Sequence, residues 1–285
     1  MMFIGNHAVL FGERLATETA DIIAGLGRSG CDGIEAGLRF LTPDFREELK
    51  KELDQNGLTL SAYHVSSLAA DVFDKPDEVR NMFQQAVDFL EVFPVKNIMY
   101  TPLPAMDLDI PVEQWDARLR DEECLKQLAE FLEQLAVELA DKGITLNFHN
   151  HNWEFAEDGK WFLSVVNHAP HVYLGLDIGW TYMAGWDAVE LIERYRDRIR
   201  YVHLRDLKFE RIGGFKNFSD IQWTGFVDLG EGDVPLDRIV GLLTESTGGQ
   251  GWLTIEYEMG EQNFERYAKA TAVLKEILKS HEGRK

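Results

Sequence analysis

The run ITLNFHNHNWEF, residues 144–155, starts as an apolar strand and ends on His149, Asn150, His151, Asn152 and Glu154. Imidazoles and carboxylates are the side chains that ligate divalent cations and exchange protons near neutral pH. Other apolar runs end in the same way: CDGIEAG on Glu35, LTLSAYHV on His64, KNIMYTPL on Tyr100, VYLGLDIG on Asp177, IRYVHLRD on His203 and Arg205, and WLTIEYE on Glu256 and Glu258. A single polar group at a strand end is commonly a satisfied core residue. Four successive strands that each deliver His, Asp or Glu are harder to explain so, because every buried charge needs a partner and one divalent cation satisfies all of them.

Strand geometry separates these residues from their neighbours. With a side-chain period of two, His64, Asn147, His149, His151, His203, Arg205, Glu256 and Glu258 share one strand face, while Leu146, Phe148, Val202, Leu204 and Ile255 take the other. The elements needed to position them alternate along the chain. Strands are predicted at 2–11, 31–37, 58–65, 96–103, 144–150, 172–179, 199–206 and 252–258. Helical stripes lie between, the clearest over Asp121–Lys142, where Leu125, Leu128, Leu132, Leu135 and Leu139 recur at helical spacing and Gly143 follows as a stop. Asp77–Phe93 and Glu261–Ser280 follow the same pattern.

Strict βα alternation dictates right-handed crossovers and a parallel sheet, and eight units predict an α/β fold of the (β/α)8 TIM-barrel type, a single domain over residues 1–285 with no linker or composition shift inside it. Such barrels carry their active-site groups at the C-terminal strand ends. The GLGRSG run at 25–30 has dinucleotide-loop spacing but stands ahead of the second strand and closes a helix, so it is set aside.

Composition excludes several roles. A net charge of −20 and a pI near 4.8 oppose nucleic-acid backbones and anionic lipid surfaces. No apolar run approaches the roughly 18 residues of a membrane span, and the start MMFIGNHAVLFGERL lacks a basic region ahead of an apolar core, which points to the cytoplasm. Cys31 and Cys124 form no CxxC pair and are expected to be inert thiols.

Taken in order, HNHNWEF, GLDIGWTYMAGWD, YVHLRD, LGEGDVPL and WLTIEYE resemble segments of the xylose isomerase-like TIM barrels. This is the sugar phosphate isomerase/epimerase group, with ketose 3-epimerases, hydroxypyruvate isomerases, inosose dehydratases and, more distantly, endonuclease IV. The resemblance covers the chain from about Gly33 onward. It implies one divalent ion, usually Mn2+ with Co2+, Mg2+ or Zn2+ as alternatives, held by His149, Asp177, His203 and Glu256. His151 and Glu258 are alternatives to His149 and Glu256, because each pair shares a strand face. Two departures stand out: ketose 3-epimerases place a glutamate where this chain has His149, and many relatives carry a histidine where it has Trp180.

The chemistry expected of such a site is an enediolate formed beside a carbonyl. Glu154 and His151 are the expected proton-transfer groups, with Glu256 as a ligand doubling as base. Arg205 and Lys208 are expected to orient substrate oxygens, and His64 and Trp180 to line the pocket, Trp180 as a platform for a sugar face. The expected activity is that of an isomerase or epimerase acting on a neutral ketose or related polyhydroxy carbonyl compound. The alternative is a dehydratase or lyase performing β-elimination on an inosose or 3-keto-glycoside, because the strand-five glutamate is missing. A third reading, of another class, is a non-catalytic sugar-binding or partner subunit. The expected partner is a small sugar or cyclitol, with no nucleic acid and no membrane, in a homo-oligomer or as a hetero-oligomeric subunit.

A neutral substrate follows from the acids in DLGEGD, namely Asp228, Glu231 and Asp233, and from Glu256, Glu258 and Glu261, all of which repel a phosphate. The counter-reading has the glycine N–H groups of GEGD binding phosphate. The long segment Leu207–Pro235, with Phe209, Phe215, Phe218, Trp223 and Phe226, is expected to cross the barrel mouth.

Overall fold

The computed structural model describes residues 2–37, 41–212, 225–246, 250–258 and 260–282. Eight strands close a parallel barrel: β1 (Met2–His7), β2 (Gly33–Gly37), β3 (Thr59–Leu68), β4 (Asn97–Leu103), β5 (Thr145–His149), β6 (Tyr173–Asp177), β7 (Ile199–Leu204) and, after the short antiparallel pair β8 (Asp206–Leu207) and β9 (Phe226–Val227), β10 (Gly251–Ile255). β10 closes the ring between β7 and β1. This is the predicted (β/α)8 barrel, a single α/β domain.

The helices pack as their stripes require. Asp121 caps the helix Glu122–Ala140 by accepting the Cys124 N–H at 2.9 Å, and all five leucines of its stripe are buried. Gly143 ends the turn beyond that helix at φ +71°, a conformation that costs a residue with a Cβ about 1 kcal/mol or more. Leu146, Phe148, Val202, Leu204 and Ile255 lie outward beneath the helices, each essentially inaccessible. Inside the barrel, Ala62, Met99, Tyr201 and Trp252 pack together as a plug that floors the mouth. At Gly175 a Cβ would come within 2.3 Å of the Met99 methyl carbon, so any larger residue would make this side chain shift.

Two boundaries differ from expectation in ways that matter for the site. The first strand ends at His7 and turns into the 3-10 segment Ala8–Phe11, with the Val9 N–H donated to the His7 ring. The last strand stops at Ile255, so Glu256 stands at the rim. Of the long segment after β7, residues 213–224, with Phe215, Phe218 and Trp223, lie outside the described residues. Phe209 packs against Tyr182, and Phe226 against Trp180.

Candidate active site

Four strand ends bring His149, Asp177, His203 and Glu256 together, with one potential ligand atom from each lying within 4.8 Å of all the others, and all four residues buried. His149 points its Nδ1 at the Gly175 carbonyl, 3.2 Å away. A carbonyl only accepts, so Nδ1 carries the proton and Nε2 keeps a lone pair for the site. His203 Nδ1 lies 2.7 Å from Glu256 Oε2, yet the two are not aligned as donor and acceptor, and neither has a hydrogen-bond partner among the described residues. The two form a buried ion-pair contact, and with His149 and Asp177 they offer imidazole nitrogens and carboxylate oxygens that could hold a cation.

The charge balance says the same. Burial opposes ionisation of His203, but the Glu35 and Glu256 carboxylates on either side hold its pKa well above the ordinary imidazole value. Burial also opposes the Glu256 anion, and the Arg205 and His203 charges outweigh it, leaving Glu256 well below the usual carboxylate range. Burial pushes Asp177 up to about 6 against the pull of Arg205. The site therefore demands positive charge, which a proton on His203 or a cation supplies. The donor set of two imidazoles and two carboxylates could hold a divalent cation.

Arg205 ties the acids together from behind. Its Nε donates to Asp177 Oδ2 at 2.8 Å, and its Nη2 donates to Glu258 Oε1 at 2.9 Å and sits 3.0 Å from Glu256 Oε2. Its guanidinium stacks under the Trp180 ring. Arg205 is thus engaged with carboxylates and lies outside the wall of the main cavity.

That cavity, about 510 Å³, is walled by His7, His64, Thr101, His149, His151, Trp153, Glu256 and Glu258 among others. His64 and His151 are on this wall. Trp180 is not: it is fully buried behind His151 and Arg205, and the aromatic at the wall is Trp153, stacked on His151 with ring centres 4.1 Å apart. Glu154, expected to act on substrate, is also absent from the wall. Its Oε2 accepts the His151 N–H at 2.7 Å, and burial raises its pKa well above the carboxylate range. Lys208 pairs with Asp233 at 3.3 Å and does not reach the cavity.

Sequence reasoning gave no role to His7, Thr101 or Glu35. His7 ends β1 as His64 ends its run, but the apolar residues after it disguise the strand end. Glu35 stands at the centre of these groups, with Oε1 2.9 Å from His64 Nδ1 and 3.2 Å from His7 Nε2, and Oε2 2.7 Å from His203 Nε2. Burial works against its anion, and His203 and His7 nevertheless hold its pKa well below the ordinary carboxylate value.

The DLGEGD loop carries a second unexpected arrangement. Buried Asp206 accepts four backbone N–H groups: Leu207 and Val234 at Oδ1 (2.9 and 3.1 Å), Gly230 and Gly232 at Oδ2 (2.9 and 2.8 Å). The glycine N–H groups of this loop are therefore directed at an internal carboxylate. A Cβ at Gly232 would lie 1.9 Å from Asp206 Oδ1, so the contact requires glycine.

The family model for xylose isomerase-like TIM barrels matches residues 24–277. The chain belongs to the xylose isomerase-like TIM barrel family. This barrel is 27% identical over 248 residues to an inosose dehydratase of Clostridium botulinum (strain Alaska E43 / Type E3), covering 83% of this chain and 80% of the relative. Its fold is similar to that of a sugar phosphate isomerase/epimerase from Parabacteroides distasonis ATCC 8503 (TM-score 0.70, 20% identity, 96% and 94% of the two chains). It also resembles a xylose isomerase-like TIM barrel protein from Mycobacterium smegmatis in complex with magnesium (TM-score 0.69, 16% identity, 99% and 98%). Among the described residues of this family member, no helix is long and apolar enough to cross a membrane.

Proposed function

We propose that this barrel is a divalent-metal-dependent carbon–oxygen lyase that dehydrates a neutral polyhydroxylated ketone of the inosose or keto-sugar class. His149, Asp177, His203 and Glu256 would hold the ion, with Mn2+ the first choice. The ion's contribution is electron withdrawal from the substrate carbonyl, which acidifies the neighbouring C–H.

The observation that carries the lyase reading is His149. A two-carboxylate epimerase needs an acid at the end of β5 facing the one on β10, and this position holds an imidazole that burial, His203 and His151 keep neutral. The inosose dehydratase relative supports the same choice. At the cavity wall, His151 is the proton carrier. Burial and the Arg205 charge keep its pKa well below the ordinary imidazole value, so it is an unprotonated base at neutral pH. It takes the proton from the carbon beside the carbonyl and returns it to the hydroxyl on the next carbon. One C–H and one C–O bond break, a C=C bond forms, and water leaves. Glu154 holds the His151 backbone in place, and Trp153 fixes the ring by stacking.

Isomerisation or epimerisation is the second reading. It is favoured by Glu258, which lines the same cavity as His151 and offers a second proton-transfer group. A neutral substrate is supported by Asp206, whose carboxylate takes the loop N–H groups that a phosphate would need, and by Lys208, which is paired with Asp233. Incubation with Mn2+ and 2-keto-myo-inositol in D2O, followed by NMR, tests the reading. The expected result is a dehydrated product. Solvent deuterium on carbon without loss of water would replace the lyase with an isomerase or epimerase.

A further inference from the structure

Glu35 is used by neither the ion site nor the proton transfer, yet it is inaccessible to solvent and ringed by three histidines from three different strands. Their hydrogen bonds fix where the ring protons sit. His7 Nδ1 accepts the Val9 N–H at 2.9 Å, so the proton of the neutral ring is on Nε2, facing Glu35. His64 Nδ1 lies 2.9 Å from Glu35 Oε1, and its Nε2 lies 2.7 Å from Thr101 Oγ1, a hydroxyl able to donate as well as accept. His203 Nε2 lies 2.7 Å from Glu35 Oε2. His7 Nε2 also lies 3.4 Å from His64 Nδ1, but both nitrogens meet Glu35 Oε1 at shorter range, and because a carboxylate only accepts, the protons belong on His64 Nδ1 and His203 Nε2.

We propose that Glu35 is a positioning residue that sets the tautomers of two site histidines. One oxygen holds the Nε2–H of His203, so that the Nδ1 lone pair faces Glu256 and the ion position. The other holds the Nδ1–H of His64, so that the Nε2 lone pair faces Thr101 at the cavity wall. A carboxylate on the far nitrogen of a ligand histidine both fixes the ring and increases its basicity, and removing such a partner typically weakens metal binding about 10- to 100-fold. The inference rests on the metal reading of the four-residue site. It goes beyond that reading by tying β2 to ligand strength and linking the ion ligand to the cavity-wall imidazole through a single side chain. Glutamine discriminates sharply here, because its amide presents one acceptor and one donor to two positions that both need an acceptor. In Glu35→Gln one ring must therefore flip its tautomer.

The test is two-bond ¹H–¹⁵N correlation spectroscopy of ¹⁵N-histidine-labelled wild type and Glu35→Gln, both with Zn2+ as a diamagnetic probe, alongside zinc affinity by competition with a chelator. In zinc-loaded wild type, His203 is expected to be protonated at Nε2 and zinc-bound at Nδ1. In Glu35→Gln, His203 or His64 is expected to move its proton to the other nitrogen, with zinc affinity lower by about 10- to 100-fold. Zinc bound through Nε2 of His203 in the wild type would overturn the role of Glu35 and leave the ion site standing. So would a folded Glu35→Gln with unchanged tautomers and affinity. Absence of zinc from the wild type would overturn the ion site and this inference with it. Should the variant fail to fold, the wild-type spectrum alone decides which nitrogen carries the proton.

Discussion

Arg205 donates from Nε to Asp177 Oδ2 at 2.8 Å, across the gap between β7 and β6, with both side chains buried. The same guanidinium meets Glu256 and Glu258, so one cation balances three carboxylates from two sides of the site. Arg205→Met fills the space without the charge. It is expected to cost about 3–5 kcal/mol, the range found when a buried ion pair loses one partner. Urea unfolding in the presence of chelator checks this. A loss below about 1 kcal/mol would mean that the acids are neutralised by other means.

Asp206 organises the DLGEGD loop through four N–H contacts. Asp206→Ala removes the acceptor and leaves backbone donors buried, at about 1–3 kcal/mol for each group that water does not reach. Hydrogen exchange at Gly230 and Gly232 is expected to accelerate markedly in this variant. Wild type is also expected to prefer a free keto sugar over its phosphate ester in direct competition. A higher kcat/KM for the ester would reinstate a phosphate subsite.

Burial raises the folded-state pKa of Glu154 above its unfolded value of about 4.3. With a raised folded pKa, the folded chain holds the proton that the unfolded chain releases. The stabilising contribution is therefore complete below the unfolded pKa and is lost as pH rises toward the folded pKa, at about 1.4 kcal/mol per pH unit. Glu154→Gln retains the neutral shape and removes the dependence. Relative to wild type, the variant should gain stability as pH rises above the unfolded pKa of about 4.3, measured by denaturant titration in chelator. Parallel stability curves would show that Glu154 is ionised in the folded protein.

The fold was legible because alternation of strand and helix leaves few topologies, and the four converging side chains were legible because strand period two carries a residue reliably to the strand's last position. The rule lapses one residue later. Asp177 caps the helix Ile178–Met183 by accepting the Trp180 N–H at 2.7 Å, and that helix carries Trp180 behind the site. After β5, the 3-10 turn Trp153–Phe155 sends Trp153 to the cavity and Glu154 beneath it, so neither residue follows the strand's alternation. Glu35 was visible as a strand-end acid. Its contacts with His7 and His64 come from the neighbouring strands β1 and β3, whereas His203 reaches it from β7, a meeting that strand sequence alone does not announce.

The four strand ends are proposed to form one ion site. It is tested most directly by elemental analysis of Mn2+-loaded protein after gel filtration, comparing wild type with His203→Ala and Asp177→Ala. These two residues have no alternative ligand two positions along their strands, whereas His149 and Glu256 have His151 and Glu258. The expected result is about one manganese per chain in wild type and at least a tenfold loss of affinity in each variant. Stoichiometric manganese retained by both folded variants would contradict the assignment.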